Sequence, residues 1–280
     1  MSRIVFVNGS YVPFEEANIS IMDRGFLFAD GIYEVSAVVN GKLVDNEAHM
    51  ARLDRCLKEI DIVNPYSYEQ WIEIEKELVK RNELKEGCVY MQVTRGAAER
   101  DFSYDKSIKP TVVAFTQVKN IVNNPAAETG GKAISVEDIR WARRDIKSVG
   151  LLAQVFAKQA AKEAGAVEAL MVQDGYVTEG GSSTAFIIAG DKIITRPLSR
   201  AILPGITRLT VMRLANEKNL TIEERLFTLE EAFAADEAFI TSATTFVMPI
   251  VSIDGKQVGS GKPGPLTKRL RALYLEMAGA

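Results

Sequence analysis

Asn8-Gly9, Asn40-Gly41 and Asp174-Gly175 each stand between short apolar runs. Asn-Gly and Asp-Gly tolerate the left-handed backbone of a two-residue hairpin turn, so these dipeptides commit much of the chain to antiparallel strand pairs. Segments of helical period separate the strands. The stretch from Asn46 to Ile60 places Met50, Leu53, Leu57 and Ile60 on one stripe, and Tyr68 to Asn82 does the same with Trp71, Ile74, Leu78 and Val79. Strands at 89–95 and 111–118 flank a polar segment, GAAERDFSYDKSIK, that reads as an exposed loop. The run NNPAAETGGK at 123–132 is rich in turn formers and reads as a linker. Past it come a strand near 133–140, a helix from about Val149 to Ala164 stopped by Gly165, and strands alternating with two helices near 207–218 and 229–234. The pattern predicts an α/β (α+β) protein with an N-terminal domain over 1–120, a linker over 121–132 and a second domain over 133–280. A chain of 280 residues with 47% hydrophobic content can bury the cores this requires.

One histidine, His49, removes whole mechanisms: Ser-His-Asp hydrolysis, Cys-His proteolysis and multi-histidine metal sites all need imidazoles the chain lacks. In EAHMARL, His49 itself reads as a helix-face residue. A net charge of −3 and no basic stretch interleaved with aromatics argue against a nucleic-acid partner. No segment approaches the roughly 20 apolar residues needed to cross a bilayer, and the start reads as a strand rather than a signal peptide. Cys56 and Cys88 form neither a metal pair nor a disulfide framework, so a reducing cytoplasm is the expected setting and no metal is expected.

Without histidine, chemistry at neutral pH falls to a lysine, a carboxylate pair or a borrowed cofactor. Lys147, in EDIRWARRDIKSVGLL, lies close in sequence to Arg140, Arg143 and Arg144. Neighbouring cations and burial favour a neutral amine, the form that condenses with a carbonyl; a solvated basic turn is the other reading. Glu179 in VTEGGSSTAF could hold a pyridine nitrogen protonated or simply end a hairpin. Pro204-Gly205 before Ile206 and Thr207 offers free amides and a positive helix end to an anion, or a plain helix start. Ser242, Ala243 and Thr244 in FITSATT could add phosphate donors. Neither G-x-G-x-x-G nor a P-loop is present.

In combination and order these segments resemble the class IV aminotransferases, which include D-amino-acid transaminases and branched-chain aminotransferases. The likeness runs through DRGFLFADGIYEV, HMARL, VTRG, EDIRW, DIKS, VTEGGSSTAF, LPGITR and FITSATT, nearly the full chain. The resemblance implies a fold type IV enzyme: a small N-terminal α/β domain, a larger C-terminal pseudobarrel domain, and pyridoxal 5'-phosphate between them. It implies that Lys147 forms the cofactor imine and moves the proton, that Glu179 partners the pyridine nitrogen, and that Arg52, Ile206, Thr207, Ser242, Ala243 and Thr244 hold the phosphate. It further implies a homodimer working in two half-reactions, from a small-molecule amino donor to a 2-oxo acid such as pyruvate or 2-oxoglutarate.

Substrate contacts implied in the same way are Tyr33, Val35, Arg100, Phe102, Ser183 and Thr184. D-amino-acid transaminases carry R-x-H where this chain has Arg100 and Phe102. A phenyl ring donates no hydrogen bond, so the carboxylate trap loses one donor and gains apolar surface, while Arg100 can still pair with a carboxylate through two donors. D-amino acids are the expected donors; an (R)-selective amine transaminase is the alternative, ahead of branched-chain transfer and aminodeoxychorismate lyase chemistry.

Overall fold

The computed structural model describes residues 2–280. The chain divides into two compact units, of which the first ends at Asn120 and also takes in Ile146–Gly150, while the second comprises Ile121–Asp145 and Leu151–Ala280.

The first unit is built on an antiparallel sheet of β1 (Ile4–Val7), β2 (Ser10–Pro13), β3 (Gly31–Val39), β4 (Lys42–Leu43), β5 (Gly87–Thr94) and β6 (Thr111–Val118), in the order β2-β1-β6-β5-β3-β4. Both Asn-Gly turns take the left-handed backbone their sequence foretold, with φ 50° and 98° at Asn8 and Gly9 and 50° and 74° at Asn40 and Gly41. Helices α1 (Arg24–Phe28), α2 (Asn46–Glu59) and α3 (Tyr68–Arg81) accompany the sheet. α3 starts with a reciprocal cap between Ser67 and Gln70. The stripes of α2 and α3 meet Ile32, Val38, Val89, Met91 and Val93 of the sheet around Trp71, which is 1% exposed. Strand alternation therefore turns Ile32, Glu34, Ser36 and Val38 toward the helices and leaves Tyr33 and Val35 on the opposite face.

The second unit contains α4 (Pro125–Thr129), β7 (Gly131–Glu137), α5 (Leu152–Glu163), β8 (Glu168–Gln173), β9 (Tyr176–Gly180), β10 (Thr184–Ala189), β11 (Lys192–Thr195), α6 (Ile206–Glu217), β12 (Thr221–Glu224), α7 (Leu229–Ala234), β13 (Glu237–Ser242), β14 (Phe246–Ile253), β15 (Lys256–Gln257) and α8 (Pro265–Ala278). Its strands run β12-β11-β10-β13-β14-β7-β8-β9, with β15 on β14. The pairs β7–β8 and β11–β12 are parallel, with α5 and α6 as their crossovers. This sheet curls back on itself. The segment just past β12, at one end of the order, reaches β9 at the other: Val177 N–H donates to Phe227 O at 3.0 Å, and Tyr176 bridges Thr228. That closure encloses a core of Leu170, Val177, Ala185, Ile187, Phe227, Ile240 and Met248.

Four features depart from the sequence reading. The stretch read as a linker carries α4, capped by Asn124 ahead of Pro125, and the first residues of β7, and it belongs to the second unit. α5 begins at Leu152 rather than Val149, because Ser148 bridges Ile32 and Val149 N–H donates to Gly31 O at 3.0 Å, which commits both residues to the edge of β3. α1 was not foreseen. Nor was α8, whose inner stripe contains Arg271 among Leu270, Tyr274 and Ala278; its guanidinium caps the carbonyls of Ile121, Val122, Thr245 and Val247, so a charged residue occupies a core-facing position.

Candidate active site

In the first unit Lys147 stands on the returning segment Ile146–Gly150, where backbone pairing fixes it. Tyr33 N–H donates to Lys147 O at 3.0 Å, and the Lys147 N–H donates to the buried Cys56 Sγ of α2 at 3.4 Å. The side chain passes over Tyr33, with Nζ 4.1 Å from the ring centroid, and Tyr33 in turn stacks on Tyr90, which stacks on Phe115. Beneath, on the helix-covered face, Glu34 is fully buried. Arg52 grips it through Nε to Oε1 at 2.6 Å and Nη2 to Oε2 at 2.8 Å, and His49 Nδ1 lies 2.8 Å from Oε2. His49 and Arg52 are three residues apart on α2, which aims both at the same carboxylate. Burial alone would raise the Glu34 carboxyl; the Arg52 guanidinium and His49 more than offset it and hold it well below the usual range.

In the second unit Glu179 lies near the end of β9, 4% exposed. Arg140 Nη1 bonds Glu179 Oε1, and Leu203 N–H donates to both carboxylate oxygens at 3.1 and 3.3 Å. Arg140 also forks onto Asp138, which accepts the Thr178 hydroxyl at 2.6 Å. Burial pushes the Glu179 carboxyl up against the opposing pull of Arg140, whereas Asp138, also buried but with Arg140, Thr178 and Arg144 around it, is held down. The arginines near Lys147 in sequence are thus charge-compensated: Arg140 and Arg144 by Asp138, Arg140 also by Glu179, and Arg143 by Asp145 at 3.0 Å.

From the Glu179 carboxylate the chain runs Leu203-Pro204-Gly205 into the start of α6, which has no side-chain cap. The first amides of a helix lack intrahelical acceptors, so this end offers donors and a partial positive charge. Gly205 is required by close approach, since a Cβ there would come within 2.7 Å of Thr184 Oγ1. Thr184 is the register partner of Thr241, next to Ser242, and the buried Thr241 Oγ1 has no hydrogen-bond partner among the described residues. Segment 203–207 therefore joins a buried carboxylate to a cluster of anion donors, the helix end and the turn of Ser242, Ala243 and Thr244 that follows β13. Such a donor set suits a ligand with a ring nitrogen at one end and a phosphate at the other.

Residues 31–253 match the family described as Amino-transferase class IV. The chain belongs to the class IV aminotransferases. Relatives of this aminotransferase include a D-alanine aminotransferase of Bacillus licheniformis, 43% identical over 269 residues that cover 95% of this chain and 94% of the relative. A D-alanine aminotransferase of Staphylococcus aureus (strain COL) is 40% identical over 268 residues, 95% of each protein. Among solved structures, a T.th. branched-chain amino acid aminotransferase complexed with N-(5'-phosphopyridoxyl)-L-glutamate is similar at a TM-score of 0.90 and 27% identity, covering 100% of this chain and 95% of that one. The mixed α/β architecture with its curled sheet is the fold type IV arrangement of these aminotransferases.

Within this aminotransferase the residues singled out from sequence fall into three groups. Lys147 and Tyr33 are in contact, with Val35 two residues along the same strand face and Arg52 beneath on α2. Glu179, Thr184, Ile206, Thr207 and Ser242 gather around segment 203–207 in the second unit, while Ser183 turns away, its hydroxyl donating to the buried Glu168 at 2.8 Å. Arg100 and Phe102 lie on an exposed loop, where their ring partner is Phe28. Sequence reading missed Asp138, Glu34 and the place of Cys56 beside Lys147, and it read Arg140 as a cation near Lys147 rather than as the partner of Glu179 and Asp138. The Asp138-x-Arg140 spacing and the Glu34/Tyr33 alternation were available signals, but only the sheet and helix packing says which side chains converge.

Among the described residues no group of side chains could hold a metal ion, and no helix is long and apolar enough to cross a membrane.

Proposed function

We propose that this aminotransferase uses pyridoxal 5'-phosphate to move the amino group of a D-amino acid to a 2-oxo acid. When bound, the cofactor supplies an aldehyde that condenses with amines and a ring that accepts electrons from the amino carbon. Lys147 supplies the anchoring amine, and its Nζ carries the proton away from and back to substrate carbon. Glu179, supported by Arg140 and Leu203 N–H, keeps a ring nitrogen protonated. Arg52, Ile206, Thr207, Ser242, Ala243 and Thr244 hold the phosphate. Tyr33, Val35, Arg100, Phe102 and Thr184 contact substrate, with Arg100 reading the carboxylate. The reading is carried by one observation, the buried Glu179 carboxylate tied through Leu203 to an uncapped helix start. The D-alanine aminotransferase names of relatives at 40–43% identity favour D-amino acids over (R)-amines.

We further propose a cytoplasmic homodimer. The buried free thiols of Cys56 and Cys88 suit a reducing compartment. Leu152, Val155 and Phe156, on one face of α5, are 66%, 57% and 57% exposed, an apolar surface that a second copy would cover.

The test is direct. Purified enzyme should transfer the amino group of D-alanine to 2-oxoglutarate, lose the activity in Lys147→Ala, and after borohydride reduction carry phosphopyridoxyl on Lys147. A label on another lysine, or preference for L-amino donors, overturns the proposal. Phe102→His should raise activity on D-alanine relative to (R)-1-phenylethylamine.

A further inference from the structure

Arg24 opens α1 and is 4% exposed, yet none of its side-chain bonds serves the helix. Its guanidinium commits every nitrogen elsewhere. Nη1 donates to Asp101 O at 2.6 Å and Ser103 O at 3.2 Å, Nη2 to Phe102 O at 3.2 Å, and Nε to Asp30 Oδ2 at 2.9 Å. Three consecutive carbonyls of the loop that bears Arg100 and Phe102 thus converge on one buried cation. Asp30 binds a second arginine as well, through Arg95 Nε at 2.7 Å and Nη2 at 2.9 Å, and Arg95 lies 3.6 Å beneath the ring of Tyr104 at the far end of the same loop. The near end is tied down too, by Arg24 N–H to Gly96 O at 2.8 Å and Ala98 N–H to Met22 O at 3.3 Å. By contrast the side chains of Arg100 and Phe102 are exposed, and their ring contacts are with Phe28 and with each other.

An exposed loop of polar residues has little buried area of its own to fix it, so its geometry comes from whatever satisfies its backbone. Here that is a planar fork with five fixed donors, which a lysine cannot reproduce. We propose that Arg24, oriented by Asp30, is a positioning residue that sets the height and direction of Arg100 and so governs affinity for carboxylate-bearing substrates. This rests on the reading of Arg100 as the carboxylate contact. Arg24 touches no substrate; its effect passes through the backbone of 101–103. Misplacing a binding group by about 1 Å can cost about a hundredfold, so a loosened loop should be felt first in KM.

The experiment compares Arg24→Lys, Asp30→Asn and Arg100→Ala holoenzymes with the parent, using D-alanine and 2-oxoglutarate, and (R)-1-phenylethylamine as a donor with no carboxylate. For Arg24→Lys the expected result is a KM for D-alanine raised about tenfold, kcat within about threefold, an unchanged KM for the amine, and an unchanged cofactor absorbance band. Trypsin should cut after Arg100 several times faster than in the parent, and Asp30→Asn should show the same pattern more weakly. Equal losses on D-alanine and the amine would mark Arg24 as merely structural and overturn the proposal, as would parental KM and trypsin rates in both variants. If Arg100→Ala leaves the D-alanine KM unchanged, the carboxylate reading itself falls, and the consequence claimed for Arg24 falls with it.

Discussion

Two buried carboxylates, one in each unit, sit beside an arginine and behave in opposite ways. Glu34 is gripped at two nitrogens of one guanidinium, with His49 beside it, and it is held strongly ionised. Glu179 shares Arg140 with Asp138, takes one backbone amide, and its carboxyl is raised instead. Desolvation is the largest influence on both, so the outcome turns on how many donors are left over for each oxygen. Glu34 is arranged to fix α2 to β3. Glu179, with a shared guanidinium and one amide, keeps a raised carboxyl beside the uncapped start of α6.

The largest expected effect tests the structural member. Glu34→Gln leaves the Arg52 charge buried opposite an amide and should cost about 3–5 kcal/mol, read by urea denaturation at pH 7, with much of the loss recovered in Glu34→Gln/Arg52→Met. If the single change costs under about 1 kcal/mol, the contrast between the two sites is wrong.

Next is Glu75 of α3, fully buried, accepting from Asn46 Nδ2 and pushed up to about 7 by burial, opposed by its hydrogen bonds and aided by the charge of Glu34. Between pH 4.5 and 7 the folded form binds this proton and the unfolded form does not, so stability falls as pH rises through that window, by about 3 kcal/mol from pH 4.5 to above 7. The Glu34 contribution has the reverse sign, present above the ordinary Glu range and lost as pH falls below it. Thermal melts from pH 4 to 8 should therefore show an acidic optimum that Glu75→Gln flattens on its high-pH side; an unaltered slope would count against a protonated Glu75.

A smaller shift is expected at Glu179, the proposed partner of the cofactor ring. Arg140→Met removes the guanidinium that opposes burial at Glu179, so its carboxyl should rise further. Its proposed role needs it ionised, so the acid limb of the kcat profile should move to higher pH, with a loss of about 1–3 kcal/mol in transition-state stabilisation at pH 6. An acid limb that stays put would detach Glu179 from the chemistry. The smallest effect is the exposed pair Asp54–Lys58, where Asp54→Ala should change stability by less than about 1 kcal/mol in urea unfolding.

Local chemistry was legible from the letters alone wherever it is set by neighbours in the chain. Asn-Gly and Asp-Gly turns announce their hairpins, the Met50-Leu53-Leu57 and Trp71-Ile74-Leu78 stripes announce α2 and α3, and Pro-Gly before Ile206 announces the start of α6. The segments around Lys147, Glu179 and Ser242 likewise carried the resemblance to class IV aminotransferases that the comparisons bear out. What failed was local pattern overridden by distant contact. Arg271 makes the inner stripe of α8 look polar because its carbonyl partners are up to 150 residues away. Val149 looks helical but is taken by the edge of β3.

The sequence by itself determined the hairpin turns and the buried stripes of α2 and α3, because each depends on backbone preferences and spacing within a few residues. Only the tertiary structure decided which charges meet: Glu34 with Arg52, Arg140 shared between Glu179 and Asp138, Arg24 with the carbonyls of 101–103. Coulomb and hydrogen-bond energies depend on distance in space and on exclusion of water, and neither is written in the order of residues along the chain.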